Sequence, residues 1–213
     1  MQTIKFIIDL FIHLDRYLAQ IIDATGSLTY LILFLVIFAE TGFVITPFLP
    51  GDSLLFAAGA LAAKNILNIY VLYFSLLLAA FLGDTINYWI GKKIGSEAFR
   101  SNSKIFKKKY LHKAQDFYEK HGGKAIILAR FVPIVRTFAP FVAGIGVMSY
   151  PKFLLYNLIG GFLWVSLFLL GGFFLGNIPF IKNNFHYTVI LIILISIIPI
   201  IVEIIKSKKE PKD

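Results

Sequence analysis

Long apolar runs alternate with short polar connections along this chain, and the runs are of two kinds. Ile66 to Ile90, Phe153 to Leu175 and Tyr187 to Ile205 are unbroken. Each reaches about the 20 residues that a helix needs to cross the ~30 Å hydrocarbon core of a bilayer. The other two are interrupted. Leu31 to Ala63 is broken by Thr46-Pro47-Phe48-Leu49-Pro50-Gly51, with Glu40 and Asp52 on either side. Ala125 to Met148 is broken at Pro133, with Arg130 and Arg136 around it and Pro140, Gly144 and Gly146 behind. Proline removes a backbone donor and drives the preceding residue toward extended geometry. Breaks at Pro47, Pro50, Gly51, Pro133 and Pro140 therefore split both runs into arms suited to re-entrant helices rather than clean spans. Ahead of them, residues 4–23 carry Asp9, His13, Arg16, Gln20 and Asp23 at alternating steps of four and three. That spacing predicts a helix with one polar stripe, which either lies in the interface or crosses with the stripe packed inward. The segment is too long and too polar for a signal-peptide core, and it is expected to be retained.

Composition fixes the class. Of the 213 residues, 58% are hydrophobic and 15% charged, with a mean hydropathy of +0.78. That is more apolar surface than a soluble chain of this size can hide. Cysteine is absent, which excludes disulfides, thiol catalysis and cysteine-ligated metals. His112, His121 and His186 fall in polar connections without metal-site spacing and read as solvated.

The net charge of +9 is placed asymmetrically. Lys92, Lys93, Arg100, Lys104, Lys107 to Lys109, Lys113, Lys120 and Lys124 share one connection, and Lys206, Lys208, Lys209 and Lys212 sit in the tail. This positive-inside pattern puts loop 91–124 and the C-terminus in the cytoplasm and argues against nucleic acid as a partner. The 66–90 helix then runs inward, hairpin 28–63 enters from outside, and hairpin 125–148 enters from inside. The predicted fold is an all-α polytopic membrane protein: transmembrane helices plus two inverted, opposing re-entrant broken-helix hairpins. Its parts are an N-terminal helix (1–27), a membrane domain (28–176), and a last helix with a basic tail (177–213).

The chemistry lies in the intramembrane charges. On a continuous helix Arg130 and Arg136 would stand about 120° apart, so a break at Pro133 is what lets both turn to one cavity. Arginine offers a planar, permanently charged fork for phosphate; the competing reading has Arg130 snorkelling to the interface. Glu40 follows the apolar run Leu31 to Ala39, where burial disfavours the charged form and suits a proton-coupling carboxylate. Asp52 opens an apolar segment and reads equally as a helix cap. Asp84 lies near the inner end of its helix, with Asn87 and Tyr88 on the same face. Gly160-Gly161 and Gly171-Gly172 read as close helix packing. Left unpaired, five such groups would cost about 12–17 kcal/mol on insertion scales, as much as a whole domain's stability. They must meet one another or line a wet cavity.

These residues resemble the DedA family, also called the SNARE-associated or VTT-domain family, from about Leu28 to Gly176. The likeness rests on Phe38-Ala39-Glu40-Thr41-Gly42, Leu49-Pro50-Gly51-Asp52, and Gly83-Asp84 through Tyr88, Gly91 and Gly95. It continues through Phe117, His121-Gly122, the run Ala129 to Thr137, Ala143-Gly144, Met148, Phe153, Asn157, Gly160 and Trp164. The resemblance implies a bacterial inner-membrane protein that moves lipids between leaflets: undecaprenyl phosphate, returned for reuse as a carrier, or else phosphatidylethanolamine. It implies dependence on proton-motive force through Glu40 and Asp52, with Asp84 as a further candidate, and essential arginines at Arg130 and Arg136. From the residues themselves, no cofactor and no metal are expected. The expected partners are a phosphate-headgroup lipid and the bilayer, with a homo-oligomer left open. Rival readings are a proton-coupled carrier of small ions or drugs and a scaffold. An enzyme is disfavoured, since no histidine is placed with serine or arginine for phosphoryl transfer.

Overall fold

The structure is a computed structural model, and it describes residues 14–43, 51–94, 116, 118, 121–176, 178 and 179. Among these the regular structure is entirely helical. The helices are α1 (Leu14–Thr25), α2 (Leu28–Gly42), α3 (Gly51–Ala63), α4 (Ile69–Ile94), α5 (Ala125–Ala129), α6 (Pro133–Val142) and α7 (Tyr150–Leu175). Two are long and apolar enough to cross a membrane, α4 and α7, at 26 residues each, or about 39 Å. Helices α2 and α3 have 15 and 13 residues, about 22 and 20 Å, short of the ~30 Å core. The expected helix 187–205, most of the basic loop and the breaks at Pro47 and Pro50 lie outside the described residues.

Boundaries moved where capping chemistry intervened. Helix α4 starts at Ile69 rather than Ile66 because the Asn68 side-chain oxygen accepts from the amides of Tyr70 and Val71 at 3.0 and 3.2 Å, an N-cap. It also runs on through Lys92 and Lys93, cations that suit a helix C-terminus. Within α1, Leu18 and Ile22 are buried while Gln20 and Asp23 are exposed. That matches the predicted stripe for the part described.

The chain divides into two compact units. The first holds α1, α3, the starts of α2 and α4, and α7 from Val165 onward. Its centre is α3, buried on nearly every side. A Cβ on Gly59 would strike the Leu169 carbonyl, and one on Gly172 would strike that of Phe56, so α3 and the end of α7 touch backbone to backbone. Gly171 meets nothing within 4 Å, so only half of the Gly171-Gly172 pair serves packing. Tyr73 and Ser166 share a hydrogen bond of 2.7 Å.

The second unit holds α2 from Phe34, α4 from Ser75, α5, α6 and α7 as far as Trp164. Its apolar core includes Tyr88, Phe138, Phe141, Val142, Met148 and Phe153. Tyr88 stacks on Phe153 at 4.6 Å and donates to the Met148 carbonyl. Tyr118 donates to the Ala139 carbonyl at 2.8 Å; burial pushes its phenol well above the usual range, so it stays a protonated donor.

Pro140 is a correction. It lies inside α6, not at a break. The turns after it widen through Ala143–Val147, and the chain leaves helical geometry only at Gly146, with φ of 124°. Pro140 is carried inside the helix at the loss of one backbone donor, and at Gly146 glycine alone takes that φ cheaply.

Across both units, large apolar side chains face outward, among them Phe74, Leu155, Phe162 and Leu167, while Glu40, Asp84, Arg130 and Arg136 are at most 5% exposed. A soluble protein would have these reversed.

Candidate functional site

Every residue of the cluster described next belongs to the second unit. Helix α5 ends at Ala129, and Val132 is extended at φ −121° and ψ 101°, with Pro133 as the first residue of α6. The break places Arg130 before α6 and Arg136 in its first turn, whose amide bonds to the Val132 carbonyl at 2.8 Å. Both guanidiniums reach one aromatic ring. Their Cζ atoms lie 5.8 and 5.2 Å from the centroid of the Trp164 ring, within cation–π range.

Each arginine has its own carboxylate. Arg136 pairs with Glu40, in the last turn of α2. Arg130 Nη2 donates to Asp84 Oδ2 at 2.5 Å and to Asn157 Oδ1 at 2.6 Å. Asn157 Nδ2 in turn donates to the Phe81 carbonyl at 3.2 Å, which fixes the amide's orientation. Arg130 is 2% exposed, so it does not snorkel. Pairing offsets part of the desolvation cost.

Close helix approach makes this arrangement possible. A Cβ on Gly83 would strike the Thr41 hydroxyl and lie 2.9 Å from the Phe38 carbonyl. Glycine there lets α2 and α4 cross beside Glu40 and Asp84. On α7, Asn157, Gly160, Gly161 and Trp164 recur at three- and four-residue steps along one face. A Cβ on Gly160 would sit 3.1 Å from Arg130 Cδ. The expected role of Gly160-Gly161 in helix packing is therefore also a seat for the arginine.

Satisfaction is incomplete. Arg130 Nε and Nη1, Asp84 Oδ1 and Asn87 Oδ1 are buried with no hydrogen-bond partner among the described residues. A buried polar atom without a partner costs about 1–3 kcal/mol, so each needs a structural or functional reason.

Glu40, Asp84, Arg130 and Arg136 come together. Asp52 stands in the first turn of α3, in the first unit, and the carboxylate on Arg130 is Asp84. Gly51 is the first residue of α3. His121 is half-buried rather than solvated. Asn157 and Trp164 had no assigned role from their own chemistry, although the α7 stripe of amide, glycines and indole was a readable signal.

Fold and site together define a helical membrane protein with a buried cluster of two arginines and two carboxylates. The VTT domain model matches residues 49–174, and the chain belongs to the VTT-domain (DedA) family. It is 54% identical over 212 residues to Protein DedA of Escherichia coli (strain K12), covering 98% of this chain and 97% of that protein. It is 45% identical over 168 residues to an uncharacterized membrane protein of Mycobacterium leprae (strain TN), covering 78% and 75%. It is 35% identical over 165 residues to the inner membrane protein YghB of Escherichia coli (strain K12), covering 74% and 73%. No solved structure matches the chain.

Proposed function

We propose that this protein is a proton-linked lipid translocase, not an enzyme, that moves a phosphate-bearing lipid between the leaflets of a bacterial cytoplasmic membrane. Undecaprenyl phosphate is the preferred substrate, and no cofactor is required. The observation that carries this reading is the pair of buried arginine–carboxylate bridges over a single indole ring. A guanidinium held by a carboxylate is exchangeable: a phosphate presents similar oxygens in a similar planar match. Protonation of Glu40 or Asp84 frees its arginine for the headgroup, and release of the headgroup restores the bridge. Asp52, at the start of α3, is a further proton-carrying group in this scheme.

In the same reading, 28–63 and 125–148 are re-entrant hairpins entered from opposite faces, as the short α2 and α3 favour. The protein is multi-pass, with loop 91–124 and the C-terminus cytoplasmic. The test is leaflet exchange of a phosphate lipid in proteoliposomes, with and without a pH gradient. Glu40→Gln and Arg136→Lys are each expected to lower the rate at least about tenfold, since an Arg-to-Lys change loses the bidentate fork. Wild-type rates in both variants would overturn the mechanism. Uptake of a soluble ion without lipid exchange would favour a small-solute carrier instead.

A further inference from the structure

Asn87 is fully buried on α4, one turn after Asp84. Its Nδ2 donates to two main-chain carbonyls from distant parts of the chain, Thr41 at 3.2 Å and Thr137 at 2.8 Å. Thr41 follows Glu40, and Thr137 follows Arg136. Thr41 also lies in the last turn of α2, where helix carbonyls lack intrahelical donors and need an outside partner. The amide cannot be reversed, because that would set its oxygen against two carbonyl oxygens. Its Oδ1 is thereby left buried with no donor among the described residues, a cost that packing alone does not explain. On the same face of α4, Asp84 holds Arg130 directly.

We propose that Asn87 is the positioning residue of the Glu40–Arg136 pair, clamping the backbones that carry the acid and the base, so that one turn of α4 governs both ion pairs. This role rests on reading Glu40 and Arg136 as the working pair of the proposed translocation. Mechanically, the clamp keeps Glu40 within reach of Arg136 whenever the pair reforms, and the spare oxygen accepts a donor supplied during the cycle.

Two measurements test this without depending on lipid exchange. The chain has no cysteine, so Leu35→Cys and Phe131→Cys, at positions 52% and 41% exposed, can carry spin labels near the two clamped segments. Pulsed electron resonance on the full chain in lipid nanodiscs is expected to give one narrow distance distribution. Asn87→Leu, close in size, is expected to lose that distribution. Thr85→Val on the same helix, whose hydroxyl bonds back to the Phe81 carbonyl, is expected to keep it. An unchanged distribution in Asn87→Leu overturns the proposal. If that variant does not insert, Asn87→Ala gives the same decision.

The second measurement compares thermal midpoints of Asn87→Leu, Glu40→Gln and the double variant. A residue acting through the pair gives a combined loss smaller than the sum. A strictly additive loss means that Asn87 merely packs, and refutes the role. Should the wild type move no phosphate lipid, the translocation reading falls, while the spin-label and thermal results still decide Asn87.

Discussion

Removing one partner of the Arg130–Asp84 bridge should cost more than removing both. The bridge spans 2.5 Å with side chains 2% and 3% exposed, so Asp84→Leu leaves a guanidinium uncompensated in apolar surroundings. Losing one member of a buried pair typically costs about 3–5 kcal/mol. Asn157 still offers Arg130 one acceptor, which holds the cost near the lower end, about 3 kcal/mol. For a chain of this length that lowers the unfolding midpoint by roughly 6–12 °C. Arg130→Met should cost a similar amount by stranding the carboxylate. The double variant removes both charges and leaves mainly the Asn157 oxygen without its donor, so it should fall within about 2 kcal/mol of wild type. Intrinsic fluorescence during thermal unfolding in detergent or nanodiscs reads all four proteins, because Trp164 lies against Arg130. Single variants that cost under about 1 kcal/mol, or a double variant that costs their sum, would refute the reasoning.

The shared ring should matter in proportion to its electron density. Trp164→Leu should slow lipid exchange more than Trp164→Phe, since each desolvated guanidinium–indole contact contributes up to about 2 kcal/mol and phenyl keeps part of it. Equal rates in the two variants would remove Trp164 from the site. Gly160→Ala pushes a methyl group to 3.1 Å from Arg130 Cδ and should lower exchange roughly tenfold by displacing the guanidinium. Gly171→Ala meets nothing within 4 Å; it should leave exchange unchanged and raise stability by about 0.5–1 kcal/mol, measured in the same unfolding assay.

The sequence by itself determined the class of the protein, the apolar helices and the break at Pro133. Those features follow from local chemistry: an apolar run must avoid water, and proline cannot donate its missing hydrogen. The same local chemistry placed Pro140 at a break. It failed there because packing overrides local propensity: Ala139, Phe141 and Val142 are buried in the core, and the helical turns run on to Gly146. Sequence also required the buried charges to meet or to line a wet cavity, since their isolated cost is too large.

Which charges meet was settled by tertiary structure. Asp84 takes Arg130, because Gly83 lets α2 and α4 cross closely beside it and Asn157 on α7 holds the guanidinium from another side. Asn87, Asn157 and Trp164 are ordinary helix residues when read in a line. They acquire their roles only when segments 27 to 50 residues apart in sequence bring two carbonyls and two arginines to them. A single residue's chemistry fixes what it can pair with; the partner it finds depends on how the helices pack.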